Sequence, residues 1–304
     1  MNLVEEIKNS LRKGNVLYRL IFINVAIFVV LGIWFVIIRL FTPGVTLEGL
    51  RMAFSESVLK YLMIPSLPRE ILFKPWTIIT YMFAHFNLWH ILMNMLMLYW
   101  FGRIFLQYLT AKQLLSTYIL GGLAGAALYV VFVNSFPGLR DYLGGAMLGA
   151  SAAIMAIVVS IAVYVPNYTI YLFFLGPVRL KYIAIGFVII DVLMIASDNA
   201  GGNIAHLGGA VYGFWFTSRL RKGKDSGLWI SRIIDKITTL FKPRPRLNVA
   251  YRKTTKRVSD EEYNRRKISE QKEIDRILDK IAKGGYESLT KNEKETLFKM
   301  SNKS

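Results

Sequence analysis

Apolar residues gather in six long runs separated by short polar breaks, over about 17–41, 88–109, 114–133, 146–165, 180–196 and 204–220. A bilayer-spanning helix needs about 20 mostly apolar residues, and the sixth run, short and glycine-rich, is the weakest. The pattern predicts an all-α polytopic membrane protein. An amphipathic tail (1–17) precedes a six-helix membrane domain (18–222). An amphipathic surface helix with a basic linker (223–269) and a small helical hairpin (270–304) follow it. The N-terminal stretch is long and charged, without a small-residue cleavage site, so it does not read as a cleavable signal.

Between runs, two segments carry their own pattern. Residues 42–86 mix Leu47, Leu50, Met52, Phe54, Leu59 and Tyr61 with charges and Pro65, Pro68 and Pro75. A structureless loop of that length is uncommon, so short amphipathic helices in the outer interface are expected. Residues 166–177, aromatic and turn-rich, predict an interfacial hairpin. Past the sixth run, 227–241 puts Trp229, Ile230, Ile233, Ile234, Ile237 and Leu240 on one helical face, with Arg232, Asp235 and Lys236 opposite. In the terminal hairpin, Ile274, Ile277, Leu278 and Ile281 keep the helical period to Gly284-Gly285. Thr290 and Glu293 then cap a second helix.

Composition fits a membrane chain: 54% of residues are hydrophobic and mean hydropathy is +0.38. Net charge is +18, but most of the excess follows residue 218, where positive-inside topology puts it, so a nucleic-acid partner is not expected. The same rule sets both termini in the cytoplasm, and the expected location is a bacterial inner (cytoplasmic) membrane. With no cysteine, disulfides and thiol catalysis are excluded. No metal or other cofactor is expected: the three histidines, His85, His90 and His206, lack the HExxH pattern. The lipid bilayer is one partner; the partner of the cytoplasmic tail is open.

Polar residues inside apolar helices are costly and ask for a reason. Ser151 lies in GGAMLGASAAIMA, where Gly145, Gly149 and Ala153 recur every fourth residue. Alone it reads as a helix serine bonded to its own backbone. His206 lies in NIAHLGGAVYG beside the small residues Ala205, Gly209 and Gly213. Two small-faced helices pack with backbones close, which would bring the hydroxyl to the imidazole; a hydroxyl needs such a base to become a nucleophile. His90 and Asn94, four apart on one helix face, are candidate donors to a developing oxyanion. Asp191 is the sole carboxylate well inside a run; it is not read as a member of a catalytic triad, and the sequence does not place it.

These motifs together resemble the rhomboid family of intramembrane serine proteases: His85, His90 and Asn94, then Gly102, then Gly149-x-Ser151, then Ala205-His206-x2-Gly209-x3-Gly213, over about residues 18–222. The resemblance implies a six-transmembrane rhomboid-like bundle around a shortened fourth helix, with a cavity open to one side. It implies Ser151 as nucleophile and His206 as base. His90, Asn94 and the Ser151 N–H would form the oxyanion hole, with His85, Gly149, Ala150 and Gly209 in support. The loop 197–203 would cap the cavity. Substrates would be transmembrane helices, entering near the fifth span, with no cofactor. Four departures stand out: Ala152 where the family often has Gly, Met155 where many members stack a Tyr on the histidine, Thr77 in place of a first-loop arginine, and no acidic residue one turn after Gly102. Two other readings are an inactive rhomboid-like protein that binds membrane clients, and a transporter. Retention of Ser151, His206, His90 and Asn94 argues against the first, and the lack of an internal repeat against the second.

Overall fold

A computed structural model describes residues 15–172, 176–230, 232, 233, 236 and 260–301. The chain divides into two units, Met1–Lys242 and Pro243–Ser304. It is mostly helical. In the first unit α1 is Val16–Phe41, α2 Leu47–Ser57, α3 Pro68–Phe73, α4 Thr77–Thr80, α5 Leu88–Tyr108, α6 Ala111–Ser135, α7 Ser151–Tyr164, α8 Leu180–Leu193 and α9 Ala200–Leu220. Strand β1 (Ile64–Pro65) pairs antiparallel with β2 (Ala146–Met147), and β3 (Thr169–Leu172) with β4 (Gly176–Arg179). Among the described residues, α1 and α6 are long and apolar enough to cross a membrane, by length and composition.

Helix α7 is the hub. Its residues from Ala152 to Ala162 are all buried, as expected of a helix apolar on every side. It packs against α9, α6, α5 and α8. The α9 contact is backbone to backbone. A Cβ on Gly209 would collide with the Ala152 carbonyl, and one on Gly213 with the Ala156 carbonyl. Lower down, the Ser160 hydroxyl donates to the Gly213 carbonyl at 3.2 Å, and the Thr217 hydroxyl donates to the Ser160 carbonyl at 3.1 Å. The polar groups of both helices thereby satisfy one another in an apolar setting, where an unpaired one is expensive.

Caps fix where the helices begin. Asn87 caps α5, its Oδ1 accepting from the His90 N–H at 3.1 Å. Thr110 and Gln113 form a reciprocal capping box at α6. In the first unit two starts differ from the sequence reading. The fourth apolar run was expected to be helical from about residue 146, but α7 begins at Ser151. Ala146 and Met147 pair with the first loop instead, and Gly149 takes φ +128°, a conformation that breaks a helix. Helix α9 starts at Ala200, a turn before the expected residue 204. The Asn203 amide donates to the Met194 carbonyl at 2.6 Å and holds that extra turn.

The first loop folds as short helices, α2 to α4, with three-ten turns at Leu59–Tyr61 and Tyr81–Phe83. Its anchors do not include the arginine replaced by Thr77. The Trp76 indole donates to the Tyr61 carbonyl at 2.8 Å, and the Thr80 hydroxyl to the Leu62 carbonyl at 3.0 Å. Phe54 and Phe86 stack at 5.1 Å, with Phe35 of α1 edge-on to both at 5.3 Å. The loop grips the segment before α7: the Ser66 N–H donates to the Gly145 carbonyl at 2.9 Å, and the Gly144 N–H to the Ser66 hydroxyl at 2.9 Å. The hairpin expected at 166–177 is formed by β3 and β4. Most of the expected surface helix 227–241 lies outside the described residues.

The second unit is a helical hairpin of α10 (Asp260–Gly284) and α11 (Lys291–Ser301). Its first helix starts about ten residues before the expected 270. Glu261 and Glu262 lie in its first turn, and acidic residues there suit the helix dipole. Among the described residues, Ile277 and Leu289 are its buried apolar residues. Glu293 accepts from the Thr290 N–H at 2.8 Å and from the Lys280 ammonium at 2.9 Å.

Two outcomes follow. Gly209→Val should separate α7 from α9 and cost about 1–3 kcal/mol, read as a lower melting temperature of the detergent-solubilised chain. The Lys280 ammonium and then Thr290 hold the Glu293 carboxyl down, from 4.5 to about 2. A carboxylate depressed on folding stabilises above its unfolded value and loses that contribution as pH falls through the folded one. Hydrogen-exchange protection of 289–301 in the whole chain should therefore drop as pH falls from 4.5 toward about 2. Glu293→Gln should remove that dependence.

Candidate active site

The close approach of α7 and α9 determines what meets at their upper ends. Ser151 is the first residue of α7 and directly precedes Ala152, whose carbonyl lies against Gly209. His206 lies three residues before Gly209, on the same face of α9 by helical spacing. The result is a His206 Nε2 to Ser151 Oγ separation of 2.6 Å. The other ring nitrogen, Nδ1, lies 2.8 Å from Asp191 Oδ1 on α8. A carboxylate only accepts, so Nδ1 carries the proton and Nε2 is left to accept from the serine hydroxyl.

Around this line lies a cavity of ≈ 210 Å³, lined by Asn94, Ser151, Met155, Asp191 and His206 among others. A larger, wholly apolar groove between α6 and α9, lined by Ala124, Leu128, Val211 and Trp215 among others, contains none of the candidate residues.

The turn before Ser151 is held from below. The Gly149 N–H donates to the Tyr81 carbonyl at 2.9 Å, and Tyr81 donates its hydroxyl to the Gly122 carbonyl of α6 at 2.5 Å. The Ala150 N–H lies 3.3 Å from His85 Nε2. A backbone N–H only donates, so His85 Nε2 is unprotonated. The Asn94 amide, 2.9 Å from that same nitrogen, must then present its NH2 group. His85, buried under the loop, thus orients both the turn and Asn94. His90 stands against Gly149: a Cβ built there would lie 2.7 Å from His90 Cε1, 2.9 Å from its Nε2 and 3.8 Å from Ser151 Oγ. Any side chain at 149 would evict the imidazole, on top of the strain of φ +128°. The first N–H groups of α7 have no side-chain cap, and uncapped N–H groups at a helix start suit an anion.

All the sequence-selected residues therefore converge: Ser151, His206, His90, Asn94, His85, Gly149, Ala150 and Gly209. The residue that sequence left without a part is Asp191. Its signal was present in its cost, since a buried carboxylate needs a partner, and a lone histidine elsewhere was the available one. The expected capping loop 197–203 is shorter, because α9 already begins at Ala200. The Tyr142 hydroxyl ties it down by donating to the Ser197 carbonyl at 2.9 Å.

A family model described as the rhomboid domain matches residues 73–223, a range that contains every candidate residue. A second, described as a family of unknown function (DUF6576), matches 259–303. RHOMBOID-like protein 12, mitochondrial, of Arabidopsis thaliana is 34% identical over 158 residues, which are 49% of this chain and 47% of that protein. Presenilin-associated rhomboid-like protein, mitochondrial, of Homo sapiens is 29% identical over 159 residues, 49% of this chain and 38% of that protein. Presenilin-associated rhomboid-like protein A, mitochondrial, of Danio rerio is 29% identical over 142 residues, 44% and 34% of the two. The chain spans less than half the length of each of these relatives. They also correct the localisation. A bacterial inner membrane was expected, and the relatives are mitochondrial. Charge asymmetry reports which side of a membrane a loop occupies; it carries no information on which membrane that is.

His85→Ala should leave the Ala150 N–H buried without an acceptor, at a cost of about 1–3 kcal/mol. A lower melting temperature in detergent would register it. His85→Gln, whose carbonyl can accept, should recover part of the loss.

Proposed function

Because this chain belongs to the rhomboid family, we propose that it is an intramembrane serine endopeptidase that cuts transmembrane-helix substrates. In this reading α1 and α5 to α9 cross the membrane as a six-helix bundle. Supporting this, the outward faces of α1, α6, α8 and α9 are apolar, with Val36, Ile37, Val131, Ile189, Val211 and Phe214 all exposed. Helix α7 has 14 residues and so rises about 21 Å, against a hydrocarbon core of about 30 Å. Its N-terminus, with Ser151, then lies below the membrane surface, beside the cavity that Ser151 lines.

The observation that carries the reading is the 2.6 Å contact between His206 Nε2 and Ser151 Oγ. Ser151 Oγ attacks the substrate carbonyl carbon, and its proton passes to Nε2 as the O–C bond forms. The carbonyl oxygen becomes an oxyanion, stabilised by the His90 ring, the Asn94 NH2 group and the Ser151 N–H. His206 returns the proton to the amine as the C–N bond breaks, leaving an acyl-enzyme. Water, deprotonated by His206, then releases the acid and restores Ser151. The reaction needs no cofactor. Partners on this reading are transmembrane substrates and the bilayer itself.

Detergent-purified chain should cleave a model transmembrane substrate and label with a fluorophosphonate probe. Ser151→Ala should abolish labelling, and His206→Ala should lower cleavage by at least about 10³-fold. Undiminished labelling of Ser151→Ala would end the proposal.

A further inference from the structure

The imidazole of a serine hydrolase must be held in one tautomer and one orientation while its charge changes. On the resemblance drawn above, many rhomboids stack a tyrosine on this ring, one turn after the serine. Here that position is Met155, which lines the same cavity and offers no aromatic face. What holds His206 instead is Asp191, with Oδ1 at 2.8 Å from Nδ1.

The setting of Asp191 argues that this contact is more than a chance pairing. Its neighbours on α8, Ile189, Ile190, Val192 and Leu193, are exposed, whereas its own side chain is 8% exposed. Helix α8 therefore turns its apolar residues outward and its carboxylate in toward α9. The second oxygen, Oδ2, is buried and has no hydrogen-bond partner among the described residues. A carboxylate in that position costs free energy unless a partner repays it, and the partner present is the histidine bonded to Ser151.

Resting on the protease reading, we infer that Asp191 is a positioning residue that extends the Ser151–His206 pair to a Ser-His-Asp triad. It keeps the proton on Nδ1, so that Nε2 stays open to the serine hydroxyl. It also stabilises the imidazolium formed when Nε2 takes that proton. Asp191 does not touch substrate and does not itself become protonated. Its contribution replaces ring stacking by an edge-on hydrogen bond.

The test compares the full wild-type chain with Asp191→Asn, Asp191→Ala and Asp191→Glu, in detergent, with one transmembrane substrate. Asp191→Asn and Asp191→Ala should lower kcat by about 10²–10⁴-fold with KM little changed, and Asp191→Glu should regain part of it. The three histidines make nitrogen NMR of histidine-labelled protein tractable. The wild type should show His206 protonated on Nδ1, and Asp191→Asn should shift it toward the Nε2-protonated form. Melting temperature should be little changed in Asp191→Asn, whose amide still bonds Nδ1, and should fall in Asp191→Ala, which leaves that nitrogen without a partner. Retained kcat in Asp191→Asn and Asp191→Ala, with an unchanged tautomer, would overturn the inference. A lost kcat that tracks a lower melting temperature at constant tautomer would overturn it too, by making the role structural. A wild type that neither cleaves nor labels would sink the protease reading alone, since the tautomer shift still tests the Asp191–His206 coupling.

Discussion

The carbonyl of Ala152 occupies the space where a side chain at position 209 would go. Everything at the candidate site is referred to that contact. Ser151 is bonded directly to Ala152, and His206 is one helical turn from Gly209, so the distance between hydroxyl and imidazole is inherited from the distance between two backbones. Reacting groups lose their advantage when displaced by about an ångström. Side chains large enough to pack by interdigitation would set helix axes 8–10 Å apart and leave the pair too far to bond. Small residues on both faces are therefore the condition for the proposed chemistry, as well as for the packing. Cross-links lower on the same pair, from Ser160 to Gly213 and from Thr217 to Ser160, keep the helices from sliding or rotating about it.

A second layer secures the turn that delivers Ser151. The first loop pairs its strand with Ala146 and Met147, and its histidine accepts from the Ala150 N–H. Its Tyr81 accepts from Gly149 and donates to Gly122 of α6. Tyr118 adds a further tie, donating to the Met82 carbonyl at 2.8 Å and accepting from Asn24 of α1 at 3.2 Å. The backbone of the serine turn is irregular, and irregular backbone in an apolar setting persists where neighbouring protein groups satisfy it. The long loop between α1 and α5 supplies those groups, which explains why it is folded at all.

What the sequence made legible was periodic or costly. Small residues at every fourth position marked the meeting faces of α7 and α9, and polar side chains within apolar runs marked Ser151, His206, His90 and Asn94. In the first unit two helix starts differ from the sequence reading for a common reason: hydropathy records which residues are apolar and is blind to hydrogen bonds formed with other segments. Ala146 and Met147 look helical by composition yet pair with Ile64 and Pro65. Gly201 and Gly202 look like loop yet lie in α9, whose first turn is held by the Asn203 amide on the Met194 carbonyl. The first-loop anchors escaped for the same reason, since the Trp76 indole and Thr80 hydroxyl bond to main-chain carbonyls, which carry no sequence signature.

Asp191 is the instructive case, because its cost was visible and its partner was not. A carboxylate fifteen residues before the histidine, across a turn, has no spacing rule to join them. Only the antiparallel return of α9 against α8 brings the two together. The substitution of Met155 for an aromatic then acquires a physical sense. A ring stacked on a face is restrained in its plane but free to carry its proton on either nitrogen. A ring bonded at its edge to a carboxylate is restrained in plane and in tautomer together, and the nitrogen left bare is the one 2.6 Å from Ser151. In the proposed triad the edge contact therefore does the work of the missing stack and adds a charge that the stack does not supply.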